Sequence, residues 1–257
     1  MKLRVLVVLC FAVLTSSLLH AADWGTLTGQ FVYDGEAPER KPLNIVRAAI
    51  CAKDPPLEED LIVHPKNRGL ANVVVTLRLK KGQKLGELHE SYQKTEKAKV
   101  RVTNKNCRFE PRVTLLRTTQ TLVLGNDDPI PHNSLGYVLF NAPFNDTIPA
   151  NDNVERRLPK IERRPVQVKC TIHAWMKGWL VVHDNPYMAV SDEDGKFEIK
   201  NLPEGEWTFQ FWHESAGYLS KIDLDGTEVE DKKGLYTLPI AAEDVELGEI
   251  RLNADLF

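Results

Sequence analysis

Residues Lys169–Val182 read KCTIHAWMKGWLVV. Cys170, His173 and Met176 follow one another at intervals of three residues. The run behind them, GWLVV, is the aromatic and β-branched pattern of a strand. A short loop set between strands aims all three side chains at one point. Upstream, the stretch GNDDPIPHNS (Gly125–Ser134) offers His132, a second loop histidine just after a strand run.

Working outward, short β-patterned segments fill most of the chain. GTLTGQFVYDG (Gly25–Gly35) alternates and stops at a turn. ANVVVTLRLKKG (Ala71–Gly82) is β-branched and ends in glycine. AKVRVTN and PRVTLLRTTQTLVLGNDD follow, the second with a turn near Thr118–Gln120. PVQVKC and GWLVVHD flank the opening loop. Strand runs at this spacing, punctuated by Gly, Asp and Pro, predict an all-β protein built of sandwiches. KLGELHESYQKTEKA carries helix formers and i,i+4 charge pairs, and predicts a short exposed helix or loop. Asp184-Asn185-Pro186 is a breaker cluster. Beyond it, SDEDGKFEIKNLPEGEWTF places Asp-Gly between alternating runs, a hairpin signal. The expected division is therefore 1–22, 23–184 and 185–257.

The first of these segments begins MKLR and continues with an almost wholly apolar run, Val5 to Leu19. That is the pattern of a secretory signal peptide cleaved near Ala22. The run falls short of the roughly 20 residues that span a bilayer. Leu9 before Cys10 does not fit a lipoprotein site, which prefers a small residue there. The expectation is an exported protein, periplasmic or extracellular, with no stable membrane insertion after cleavage. Hydrophobic content of 42% supports a full core, and a formal charge of −3 gives no basic field for nucleic acid.

Four cysteines are present, and Cys10 would leave with the signal. In an oxidising compartment the remaining thiols tend to pair, and an odd one is reactive, intermolecular or metal-bound. Cys51 and Cys107 sit among residues with no metal-binding character, AAICAKD and NKNCRFE, so they are expected to form a disulfide. Cys170 is then the odd cysteine, beside His173 and Met176. A trigonal set of two histidines and one cysteine with a long, weak axial methionine is the blue-copper electron-transfer geometry. Thiolate binds copper strongly, imidazole accepts both Cu(I) and Cu(II), and the thioether leaves the geometry between the preferences of the two states.

These residues resemble the type 1 copper domain of the cupredoxin family, amicyanin- or plastocyanin-like, with the loop length nearest to the amicyanins. The resemblance rests on CTIHAWMKGWLVV and PHNS and on the paired strand runs before His132, and covers about residues 100–183. It implies a Greek-key β-sandwich holding one type 1 copper ion through His132, Cys170, His173 and Met176. It implies that Asn133 ties the two ligand loops together and hydrogen-bonds near the sulfur. His173, on a solvent-facing loop, would be the electron port, with Ala174 and Trp175 forming a docking surface for a redox protein donor or acceptor. The segment Ala37–Gly69 is extra to that family's pattern, and Trp175 stands at the loop tip. The stretch AVSDEDGKFEIKNLPEGEWTFQFWHESAGYL resembles the carboxypeptidase regulatory-like (transthyretin-like) β-sandwich, usually a structural or adhesive module.

Other groups read more plainly. His213 is expected to pack on Trp212 at a strand end, or alternatively to reach the copper loop. His183 reads as a strand exit, and His64 and His89 as surface residues. Asp192, Glu193 and Asp194 lack the loop pattern of a calcium site. ERRLPKIERRP (Glu155–Pro165) is basic and reads as a solvated edge or a docking patch for an acidic partner. No nucleophile elbow, zinc-protease motif or phosphate loop is present. The expected function is one-electron transport rather than an enzyme activity. The alternatives are a non-redox glycan- or protein-binding module, and copper storage or delivery.

Overall fold

The computed structural model describes residues 24–45 and 48–257. The expected signal peptide, 1–22, lies outside the described residues. The protein is all-β, as expected, and its strands form two sandwiches.

In the first sandwich, one sheet runs in the order Lys196–Pro203, Trp24–Asp34, Val245–Asn253, Lys221–Leu224, Thr227–Glu230. The facing sheet runs Met188–Val190, Val74–Arg78, Gly205–His213, Gly217–Tyr218, with Leu235–Ile240 also paired to Gly205–His213. Alternation along each strand turns Leu27, Phe31, Phe197, Phe211 and Ile250 inward, all nearly inaccessible to solvent. Phe31 lies 5.2 Å from both Phe197 and Phe211.

This pairing corrects the expected division. Strand Trp24–Asp34 pairs with Lys196–Pro203 and Val245–Asn253, and Val74–Arg78 pairs with Gly205–His213. Residues assigned to the unit 23–184 therefore complete the carboxy-terminal sandwich. The reason is that Lys196–Pro203 and Gly205–His213 lie in opposite sheets and do not pair with one another. Each needs another strand to satisfy its backbone groups, and the amino-terminal segments supply them. The Asp192–Gly195 turn forms, with Gly195 N–H donating to Asp192 O at 2.9 Å. It is a crossing between sheets rather than a hairpin.

The second sandwich spans Lys99–His183. One sheet runs Val113–Arg117, Lys177–His183, Val166–Lys169, His132–Gly136, Phe144–Ile148. The other runs Arg108–Glu110, Lys99–Lys105, Thr121–Asn126, Asn153–Arg156. Its core includes Phe109, Leu116, Leu124, Ile148, Val168 and Leu180, and also Cys170 and Met176.

The sandwiches meet along a seam where Trp179 and Trp212 lie 4.8 Å apart, with Val74, Val113 and Val181 beneath. Buried Arg112 fastens the seam. It donates to both carboxylate oxygens of Glu214 at 2.8 and 2.7 Å, to Asp60 at 2.7 Å and to the Lys177 carbonyl at 2.8 Å. Trp179 Nε1 donates to Glu214 Oε2 at 2.9 Å.

His213 packs against Phe257, Ser215 and Ala71 rather than the loop Cys170–Met176. Its ring lies 5.3 Å from that of Phe257, and its Nδ1 accepts from the Ser215 N–H at 3.2 Å. Burial pulls its pKa from 6.5 down to about 4, against an opposing backbone hydrogen bond with Ala71. The unfolded chain therefore binds the extra proton first, and stability falls as pH drops from about 6.5 towards about 4, by about 3 kcal/mol. In denaturant titrations His213→Gln should lack this part of the pH slope. An identical slope in both proteins would contradict the assignment.

Candidate metal centre

Two neighbouring strands bring the site together. His132 opens the strand His132–Gly136, and Cys170 follows the end of Val166–Lys169. Leu135 is registered against Lys169, so the two ends adjoin. The loop from Cys170 to Met176 folds back on itself. Cys170 N–H donates to Met176 O at 3.1 Å, and Met176 N–H donates to His173 O at 2.9 Å. The chain then re-enters the sheet as Lys177–His183.

Three of the four side chains expected at the site, His132, Cys170 and His173, are brought together. Cys170 Sγ lies 3.8 Å from His132 Nδ1 and 3.8 Å from His173 Nδ1, and the two nitrogens are 2.9 Å apart. All three residues are buried. A point equidistant from the three atoms lies about 2.1 Å from each, the length of a metal–imidazole bond. The donor set therefore fits a single first-row ion. Met176 is 1% exposed and packs in the same core cluster as Cys170.

The surroundings fix the proton positions. Asp128 Oδ2 lies 2.9 Å from His132 Nε2, which places the ring proton there and leaves the Nδ1 lone pair facing the sulfur and His173. Asp128 also accepts from the Cys107 N–H at 3.0 Å. Asn133 links the two loops by hydrogen bonds. Its Oδ1 accepts from Thr171 N–H at 2.8 Å and Ile172 N–H at 3.3 Å, and its own N–H points at the Cys170 sulfur at 3.5 Å. His173 N–H also points at the sulfur, at 3.4 Å.

Burial alone would raise the Cys170 pKa. The neighbouring His132 and the N–H groups of Asn133, His173 and Ile172 outweigh it and hold the thiol below its usual range. Burial likewise works against His132⁺, but Asp128 and Cys170 raise that pKa overall. At His173, burial and then the proximity of His132 lower it. The site thus favours the thiolate that a soft metal requires.

One expectation is corrected here. His173 is not solvent-facing; it is 8% exposed. Trp175 lies against it with ring centroids 5.2 Å apart, and Trp175 Nε1 donates to the Cys107 carbonyl at 3.2 Å. The expected disulfide Cys51–Cys107 is present. It pins the short helix Ala49–Ala52 of the extra segment against Trp175, in a small apolar cluster with Ala48 and Ile130. The extra segment therefore roofs the loop. Beneath it a cavity of about 340 Å³ is lined by Trp175, Met176, Leu43, Glu59, Arg40 and Arg108.

Asp128 and the roof are the parts that sequence reading passed over. Asp128 stands four residues before His132 in GNDDPIPHN, and that spacing was the available signal. His64 and His89 bind their own local turns, and His183 contacts Arg78 at 3.1 Å, so none joins the centre.

No known sequence family and no curated protein matches the chain. Among solved structures it is similar to a copper-containing nitrite reductase from Thermus scotoductus, at 18% identity and a TM-score of 0.31. That match covers 43% of this chain and 26% of the reductase, so the chain spans about a quarter of that protein. It is similar to an amicyanin variant in the oxidized state, at 20% identity and a TM-score of 0.30, over 33% of this chain and 81% of amicyanin. A purple cupredoxin from Nitrosopumilus maritimus gives 21% identity and a TM-score of 0.28, over 33% of this chain and 98% of its own. Likenesses this slight leave the reading to the chain's own residues.

Proposed function

We propose that this is an exported copper protein of cupredoxin type that carries single electrons. The observation behind the reading is the buried convergence of His132 Nδ1, Cys170 Sγ and His173 Nδ1. Those three residues would hold one copper ion, with the Met176 thioether as a weak fourth ligand. Copper bound there would supply one-electron chemistry between Cu(II) and Cu(I). The chain's own part is to keep the donors still and dry. Asp128 orients His132, Asn133 joins the two loops, and two backbone N–H groups stabilise charge on the sulfur. With the ligands fixed in this way, little has to move when charge changes.

Burial of His173 moves the proposed port. Trp175, half-buried and in contact with the His173 ring, is the residue that links the centre to the surface. The partner would be a redox protein approaching Trp175 and the exposed Ile172. No helix among the described residues is long and apolar enough to cross a membrane.

The test is a Cu(II) titration followed by absorption and paramagnetic resonance. Asp128→Asn should keep the fold but weaken copper binding about 10- to 100-fold, as loss of a carboxylate behind a ligating imidazole does. A competition titration with a copper chelator reads it, and unchanged affinity would contradict the role given to Asp128. Reversible voltammetry distinguishes a carrier from a storage protein.

A further inference from the structure

Away from the centre, the open end of the seam between the sandwiches is a groove of about 510 Å³, within the range of ligand sites. Four aromatic side chains line it: Tyr137, Trp179, Trp212 and Tyr218. Tyr137 is 46% exposed, and Trp179 and Tyr218 are half-buried. Trp212 is buried and backs Trp179 edge-to-face, which fixes the Trp179 ring in the wall. Arg164 and Gln167 line the same groove.

Three cations stand at or beside this groove. Arg164 lines it, the Arg163 guanidinium lies 5.1 Å over the Phe140 ring, and the Lys169 ammonium lies 5.0 Å over Tyr137. Among the described residues none of these three cations makes a salt bridge. The two nearby carboxylates are buried: the Glu214 side chain, 4% exposed, pairs with Arg112, and Glu162 accepts the N–H groups of Leu139, Phe140 and Asn141. A chain with a formal charge of −3 thus keeps an unpaired cationic rim around an aromatic cleft.

We propose that the seam groove binds an acidic oligosaccharide, with Trp179, Tyr218 and Tyr137 stacking on the C–H faces of its sugar rings and Arg164 pairing with a uronate carboxylate. Aromatic rings suit the apolar face of a pyranose, whose equatorial hydroxyls lie at the ring edge where Gln167 and Arg164 can bond them. The planar guanidinium matches a carboxylate through two parallel N–H donors. The uncompensated rim selects acidic over neutral sugars. This inference does not rest on the copper reading, and metal-free protein should bind as well as loaded protein.

Titration calorimetry of the purified protein with oligogalacturonate, and with a neutral malto-oligosaccharide of equal length, tests it. Oligogalacturonate should bind, more weakly as salt rises, and the neutral sugar at least about tenfold more weakly. Arg164→Glu and Tyr218→Ala should each weaken binding at least about tenfold with melting unchanged. If Tyr218→Ala fails to fold, Tyr137→Ala reports on the same wall. The proposal is overturned if oligogalacturonate does not bind, if the neutral sugar binds equally, if the variants bind like the parent, or if an acidic proline-rich peptide binds in its place.

Discussion

Serine in place of Cys170 is expected to give a folded, colourless protein whose copper affinity has dropped by more than the roughly 100-fold that an outer-sphere change costs. The hydroxyl is hard and stays protonated near neutral pH, whereas the native thiol is already pulled towards thiolate by His132 and by the N–H groups of Asn133 and His173. The substitution changes one atom in a site with no exposure, so packing around Val168 and Leu180 is retained. Circular dichroism and metal-free melting should match the parent, while the thiolate-to-copper absorption should vanish. A serine variant that keeps its colour would place the metal elsewhere.

Removal of the Cys51–Cys107 link should have the largest effect on stability. The bridge joins residues 56 apart, and closing a loop of that length stabilises the fold by about 4 kcal/mol through the unfolded chain. Cys51→Ala/Cys107→Ala should lose much of that in denaturant unfolding of the metal-free protein. A second consequence follows from position. The bridge holds the helix Ala49–Ala52 against Trp175, and Cys107 bonds both Trp175 Nε1 and Asp128. Without it, His173 should become accessible, and a chelator should strip bound copper faster than from the parent. Equal stripping rates would mean that the extra segment is no roof; a stability loss under about 1 kcal/mol would contradict the loop-closure argument.

Much of the centre could be read from spacing, because Cys170, His173 and Met176 lie on one short loop whose geometry is local. His132 was legible as a loop histidine beside Asn133, although its placement depends on the register of Leu135 with Lys169, which no local pattern encodes. The turns at Thr118–Gln120 and Asp192–Gly195 fall where Gly, Asp and Thr predict them. Which sheet each following strand joins does not show in such a turn. Val113–Arg117 and Thr121–Asn126 part to opposite sheets, as do Met188–Val190 and Lys196–Pro203. The same limit hid the merging of Trp24–Asp34 and Val74–Arg78 with the carboxy-terminal strands, and the Arg112–Glu214 pair across the seam. The Cys51–Cys107 pair shows in the sequence as two cysteines without metal-binding neighbours, but its position over Trp175 follows only from the folded chain, and that position is what buries His173.

The most direct measurement is a titration of the purified protein with Cu(II), watched by absorption and paramagnetic resonance. An intense thiolate-to-copper band should grow to saturation at one ion per chain and be missing in Cys170→Ser. A parent protein that stays colourless with its Cys170 thiol free would contradict the account.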